Sequence, residues 1–313
     1  MKAYPFSILG LILFLISCKP SDSSGVSDGL DSTALKGETT VTKKSTVAPI
    51  RNLIRYAKVD RLRMRATPDI EGEVLVTLKE GDIVEWTGSI SEQEETIQLF
   101  GKQITAALYE VVFIGLKYRG WVFGGALTAN FPMALLQDHP KKKVGKGAYK
   151  AGPFNLFELA DGRPLVLRDN DSQIDEYFGM EYHSILEPEG WYQIKGYGYE
   201  YHFWLVLNPN TGKLTRTIGT LKPSPDRNWM TAYSADMTAG FDFNGIQIFK
   251  NHGDSLELIL ERSMDTYEPA GFKWVEETKL QVDRASPQAD GTLKEEPPTF
   301  YTLGDQGWAE RTN

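Results

Sequence analysis

The sequence predicts an all-β protein, and three observations carry that prediction. Apolar residues gather in short runs rich in β-branched and aromatic side chains, such as Val74–Leu78, Ile83–Trp86, Trp204–Leu207 and Ile246–Phe249. Runs of that length and composition fit a pleated, half-buried surface. Turn-forming pairs punctuate them, among them Asp161-Gly162, Thr211-Gly212, Asn244-Gly245 and Asp290-Gly291, and such pairs supply the positive φ that tight reversals require. Helical patterning is confined to one stretch, Ile174–Met180, expected as a single helical turn.

The first seventeen residues are not expected to belong to the fold. Lys2 gives a thin positive region, and Phe6–Ile16 is apolar but too short for a membrane span, as in a secretory signal peptide. Leu15-Ile16-Ser17-Cys18 then resembles the lipobox of bacterial lipoproteins, and Cys18 is the single cysteine of the chain. The resemblance implies a fatty-acyl (palmitate) anchor on Cys18, hence a membrane partner and a place in the cell envelope. Lys19 stands where lipoproteins retained in the inner membrane carry Asp, so the resemblance favours an outer-membrane lipoprotein, on the periplasmic face or the cell surface. With one cysteine there is no internal disulfide. Once that cysteine is acylated, no thiol nucleophile remains, which excludes the cysteine peptidases that SH3-like modules often accompany. Residues 18–52 shift to Ser, Thr, Asp, Gly and Lys. Such a composition cannot offset its ordering entropy and predicts a solvated tether with a reach of roughly 30 Å.

Residues 53–130 form the first folded unit. Leu62-x-x-Arg65-x-x-Pro68, then Leu78-x-x-Gly81-Asp82, then Gly120-Trp121-Val122 followed by Leu127 keep a constant order and spacing. This pattern resembles the bacterial SH3-like (SH3b) family and implies a small barrel, with Trp121 packed at its end. Tyr109-Glu110-Val111 fills the place of that family's aromatic-x-Val pair. An insertion between Ser89 and Leu108 is expected to lengthen the middle loop, and Glu92, Glu94 and Glu95 make it acidic. Loops on a rigid scaffold carry specificity, so these three glutamates and Tyr109 are candidate ligand contacts, suited to peptides bearing free amines.

Residues 131–150, with Lys141-Lys142-Lys143, are expected as a linker, and residues 151–313 as a separate antiparallel β domain. Glu187-Pro188-Glu189-Gly190-Trp191 echoes Glu268-Pro269-Ala270-Gly271-Phe272, about twice the ~40–45-residue period of a propeller blade. Ser224-Pro225-Asp226 is similar to the Ser-Pro-Asp-Gly turn of Tol-B-like propellers, with Arg227 where that family has Gly. A propeller-like fragment and a compact sheet both fit this pattern. Trp191, Tyr197, Tyr199 and Tyr201 are candidate ligand contacts here. In one continuous strand Tyr197, Tyr199, Tyr201 and Phe203 would share a face suited to sugar rings or peptide side chains.

Catalytic signals are sparse. His139, His183, His202 and His252 lie far apart and match no zinc pattern. Asp169-Asn170-Asp171 with Gln173 and Asp175 lacks the Gly and the terminal Glu of a calcium loop. No metal, cofactor or catalytic residue is therefore assigned. A net charge of −8 without a basic stripe argues against nucleic acid. The expected function is binding of wall peptide (peptidoglycan), glycan or another envelope protein. The alternative is an envelope hydrolase using a carboxylate pair in the C-terminal domain.

Overall fold

The computed structural model describes residues 53–114, 118–171 and 177–311. Among them are twenty-three strands, two short 3-10 turns and no α-helix. The first seven strands are β1 (Ile54–Ala57), β2 (Leu62–Arg65), β3 (Val74–Leu78), β4 (Ile83–Leu99), β5 (Lys102–Phe113), β6 (Arg119–Phe123) and β7 (Leu127–Thr128). They form sheet I in the order β3-β2-β6-β5-β4-β1-β7. That order forces curvature. Strands β6 and β7 stand four places apart, about 19 Å in a flat sheet at ~4.8 Å per strand. Only a 3-10 turn at Gly124–Ala126 joins them, and four residue steps span at most ~14 Å. The sheet therefore curls into a half-barrel around Met64, Leu78, Val84, Val111 and Val122, all fully buried.

Alternation sets what faces that interior. In β6, Gly120 and Val122 point in, while Trp121 is half-buried between Arg65 and Glu110 on the neighbouring strands. Trp121 is thus not the core residue expected of it. Gly120 is fixed by a close approach instead, since a Cβ there would lie 2.5 Å from the Arg65 carbonyl oxygen.

Sixteen further strands form four consecutive four-stranded meanders. Sheet II holds β8 (Lys142–Gly145), β9 (Ala148–Ala151), β10 (Phe154–Glu158) and β11 (Pro164–Arg168). Sheet III holds β12 (Phe178–Leu186), β13 (Trp191–Gly198), β14 (His202–Leu207) and β15 (Leu214–Thr217). Sheet IV holds β16 (Lys222–Pro223), β17 (Trp229–Ser234), β18 (Gly245–Asn251) and β19 (Leu256–Ser263). Sheet V holds β20 (Glu268–Glu276), β21 (Lys279–Pro287), β22 (Leu293–Gly304) and β23 (Gly307–Arg311). In each, every strand pairs with its sequence neighbour, the topology that short turns allow.

The cores run from sheet to sheet. One cluster joins sheets I, II and III through residues such as Tyr56, Phe113, Phe154, Phe157, Phe178 and Phe203. A second, around Trp191, Met230 and Phe249, joins III to IV. A third, around Ile248, Leu280, Tyr301 and Trp308, joins IV to V. Equivalent turns of adjacent meanders also meet. Lys146 pairs with Glu187 at 3.4 Å, and Arg227 grips Glu189 with Nε to Oε1 at 2.7 Å. The Ala160 N–H donates to the Pro209 carbonyl at 3.0 Å, and Asn208 Nδ2 donates to the Asp254 carbonyl at 2.9 Å.

Several expectations change. Residues 131–150 are not a linker: Phe131 and Leu136 are buried, and the segment supplies β8 and most of β9. The C-terminal region is not separate from the barrel, because one core spans both. Residues Phe178–Met180 open strand β12 rather than a helical turn, and the preceding residues 172–176 lie outside the described residues. The repeat also dissolves: Glu187–Gly190 makes the β12–β13 turn, whereas Glu268–Phe272 lies within β20. The Ser224-Pro225-Asp226 turn does form, with Ser224 Oγ donating to Asp226 Oδ1 at 2.5 Å and Arg227 at φ 60°. A left-handed residue there is what the Gly of the related turn supplies.

Strand β11 is the edge of sheet II, and its Val166 N–H donates to the Tyr56 hydroxyl at 3.2 Å. Tyr56→Phe leaves that buried N–H unsatisfied, which costs about 1–3 kcal/mol. Urea unfolding should show that loss in one transition common to sheets I and II, since they share a core.

Candidate functional site

Where the half-barrel meets sheet II the surfaces do not close, and a cavity of about 390 Å³ remains. Strand β1 contributes Ile54 and Tyr56, the segment after β7 contributes Phe131 and Met133, and the β10–β11 hairpin contributes Leu159 and Leu165. Gly162 turns that hairpin at φ 81°, a left-handed position suited to glycine. Tyr56 and Phe131 meet edge to face at 5.4 Å and 83°, and Phe131 meets Phe154 the same way at 5.4 Å and 73°. Burial pushes the Tyr56 hydroxyl up to about 12, so it stays protonated. At the mouth lie Asn130 and Arg163. The Arg163 guanidinium donates to Asp161 Oδ2 from Nε at 3.0 Å and from Nη2 at 2.8 Å.

A polar cluster closes the same junction elsewhere. The Lys79 N–H donates to Asp82 Oδ2 at 2.7 Å, the Lys79 ammonium pairs with Asp171, and Arg168 donates to the Glu80 carbonyl. Burial pushes the Asp82 carboxyl up to about 6, against the opposing pull of the Lys79 N–H and the Arg168 charge. Lys150 similarly ties sheet II to sheet III, donating to Asp169 Oδ2 at 2.6 Å and to the Met180 carbonyl at 3.4 Å.

The contacts expected from the sequence are scattered. Glu92, Glu94 and Glu95 do not sit on a loop. They lie on β4, whose pairing with β5 makes a long hairpin arm interrupted by bulges after Trp86 and Ile90. Glu92 and Glu94 are exposed and Glu95 is half-buried. The arm reverses at Phe100-Gly101, both left-handed at φ 52° and 73°, the signature of a type I′ turn. Tyr109 is half-buried against Trp86 at 5.1 Å, and Arg55 lies over Trp86 at 5.5 Å.

Trp191 is 2% exposed in the core between sheets III and IV, so it offers no surface to a ligand. The expected aromatic face on 197–203 does not exist as one strand, because the chain reverses at Tyr199-Glu200. The Gly198 N–H donates to the Tyr201 carbonyl across that turn at 2.7 Å. Tyr197 covers Gly179, Tyr199 is 68% exposed at the tip, and Tyr201 stacks on Phe203 at 6.2 Å. Arg216, Tyr118 and Asp242 went unrecognised in the sequence. Arg216 lies 4.5 Å over Phe203, and burial lowers its guanidinium to about 10. Asp242 accepts from the His202 backbone N–H at 2.6 Å. Nothing local in the sequence marks these three, since they come from segments far apart in the chain.

Among the described residues no three His, Cys, Asp or Glu converge on a metal-sized site. Asp169 and Asp171 of the candidate calcium stretch are engaged by Lys150 and Lys79, while Gln173 and Asp175 lie outside the described residues, as does Cys18. No helix among the described residues is long and apolar enough to cross a membrane. No family model matches the chain, and no curated protein matches it at a significant level.

These geometries predict two outcomes. A carboxyl whose folded pKa is about 6 instead of 3.8 gives stability present below pH ~4 and lost as pH rises through 6. Asp82→Asn should therefore raise stability at pH 7 by an amount on the order of 2–3 kcal/mol and flatten the urea midpoint between pH 4 and 6. Phe100 is 65% exposed, so its left-handed turn position is not offset by burial. Phe100→Asn, which suits that position, should raise stability by about 0.5–1 kcal/mol in the same assay.

Proposed function

We infer that the protein is a lipid-anchored cell-envelope protein that binds its ligand without transforming it. Cys18 would carry the acyl anchor, placing the folded body at the outer membrane, on its periplasmic face or on the cell surface. The half-barrel is read as an SH3-like module and the four meanders as a propeller-like arc of blades. The spacing of the first strands supports the second reading, since β8, β12, β16 and β20 begin at Lys142, Phe178, Lys222 and Glu268, close to the ~40–45-residue period of such blades.

The observation that carries binding over catalysis is the lining of the junction cavity. Glycosidase chemistry needs two carboxyl groups facing one bond. Here the walls are aliphatic and aromatic, and Asp161 beside the mouth is held by Arg163. An apolar concavity with a few polar groups at its rim is the usual form of a binding site. The arm adds an acidic surface through Glu92 and Glu94, suited to the free amines of a wall peptide or to a basic patch on an envelope protein.

Two measurements test this reading. Cys18→Ser should move the protein out of the membrane fraction, and an unchanged distribution would overturn the anchor. Titration of the mature chain with peptidoglycan fragments should shift backbone amides of β4 and β5, more weakly as salt screens the glutamates. Absence of shifts at millimolar fragment would remove the wall as ligand.

A further inference from the structure

The junction cavity has a shape and a charge balance that narrow its ligand, and the ligand class they select rests on the cavity being a binding site. An apolar cavity of ~150 Å³ takes up one benzene, and this one is about 390 Å³. Its two aromatic walls, Tyr56 and Phe131, stand at 83° to each other. They offer no parallel slot in which a planar ring could stack. The aliphatic part of the lining includes Ile54, Leu159, Leu165 and Met133, branched or flexible groups that leave an irregular outline. A flexible chain fills such an outline better than a rigid ring system, and the thioether of Met133, half exposed at the rim, adapts to it.

The rim is charge-balanced. Arg163 is matched by Asp161. A head group of either net sign would meet a compensated field and lose its hydration without a free counter-charge. An uncharged or zwitterionic head meets no such penalty.

We propose that the cavity between the half-barrel and sheet II binds the acyl chain of a single-chain amphiphile with a neutral or zwitterionic head. The occupant is a diffusing amphiphile. The test uses the mature chain, residues 18–313, carrying Cys18→Ser, with methyl-labelled Ile, Leu, Val and Met. Dodecylphosphocholine, added below its micelle threshold, should give saturable shifts at Ile54, Met133, Leu159 and Leu165. Leu280 and Val282 of sheet V should not move.

Ala129→Phe places a ring into the cavity from an exposed lining position. It should weaken binding at least about tenfold without lowering the melting temperature. Leu165→Phe, on strand β11, should weaken binding as well. Shifts that never saturate, that spread to sheet V, or that persist unchanged in both variants would overturn the proposal. Dodecanoate or dodecyltrimethylammonium binding as tightly as the zwitterion would overturn its head-group part. Naphthalene moving the same methyls where the amphiphile does not would overturn the acyl class and leave the site standing.

Discussion

A four-stranded meander has two faces, and neither can be buried within the sheet itself. That constraint governs the described structure. Sheet II must cover sheet III, sheet III must cover sheet IV, and sheet IV must cover sheet V, so the cores form a series. The series needs an end. Sheet V turns Leu280 and Val282 toward sheet IV, while the intervening Gln281 and Asp283 face away from that core. A polar outer face on the terminal unit is what keeps stacked repeats soluble. At the other end the curled sheet I takes that place, its concave interior filled by its own side chains and its outer edge shared with sheet II.

Much of this was legible in local sequence, and the reasons are local. Gly162, Gly212 and Gly291 sit at left-handed turn positions, at φ 81°, 72° and 82°, where the turn pairs placed them. The Ser224-Pro225-Asp226 turn formed because its hydrogen bonds close within six residues, from Ser224 to Trp229. The all-β class follows from many such short-range signals agreeing with one another.

What failed was long-range. The lysine run at 141–143 looks like a solvated hinge because its side chains are charged. Yet edge strand β8 needs only backbone pairing with β9, and its exposed side chains face water. The Ser89–Leu108 insertion looks like a loop because its polar residues break the apolar alternation. It pairs nonetheless, since bulges after Trp86 and Ile90 absorb the extra residues and Ile97, Leu99 and Ile104 still pack on the core. The tyrosines around Tyr199 resemble a single strand face because alternation counts residues and does not see a reversal that lacks a glycine at its tip.

The same constraint accounts for where the open site lies. At the boundary between sheets III and IV the residual gap beside Trp191 and Leu256 is about 10 Å³. That is at or below the space one water molecule needs. A curled sheet cannot follow a flat one along its full width. Contact holds where Tyr56 caps the β11 edge and Arg168 reaches the Glu80 carbonyl. Between those ties and the exposed Met133, the curvature draws the two surfaces apart into the 390 Å³ cavity. Filling it with larger side chains would strengthen the junction, so its persistence is a departure from close packing. Buried Asp82, whose charge burial makes costly, is a second departure at the same boundary. Two destabilising features meet at one interface, the one where we propose that the ligand binds.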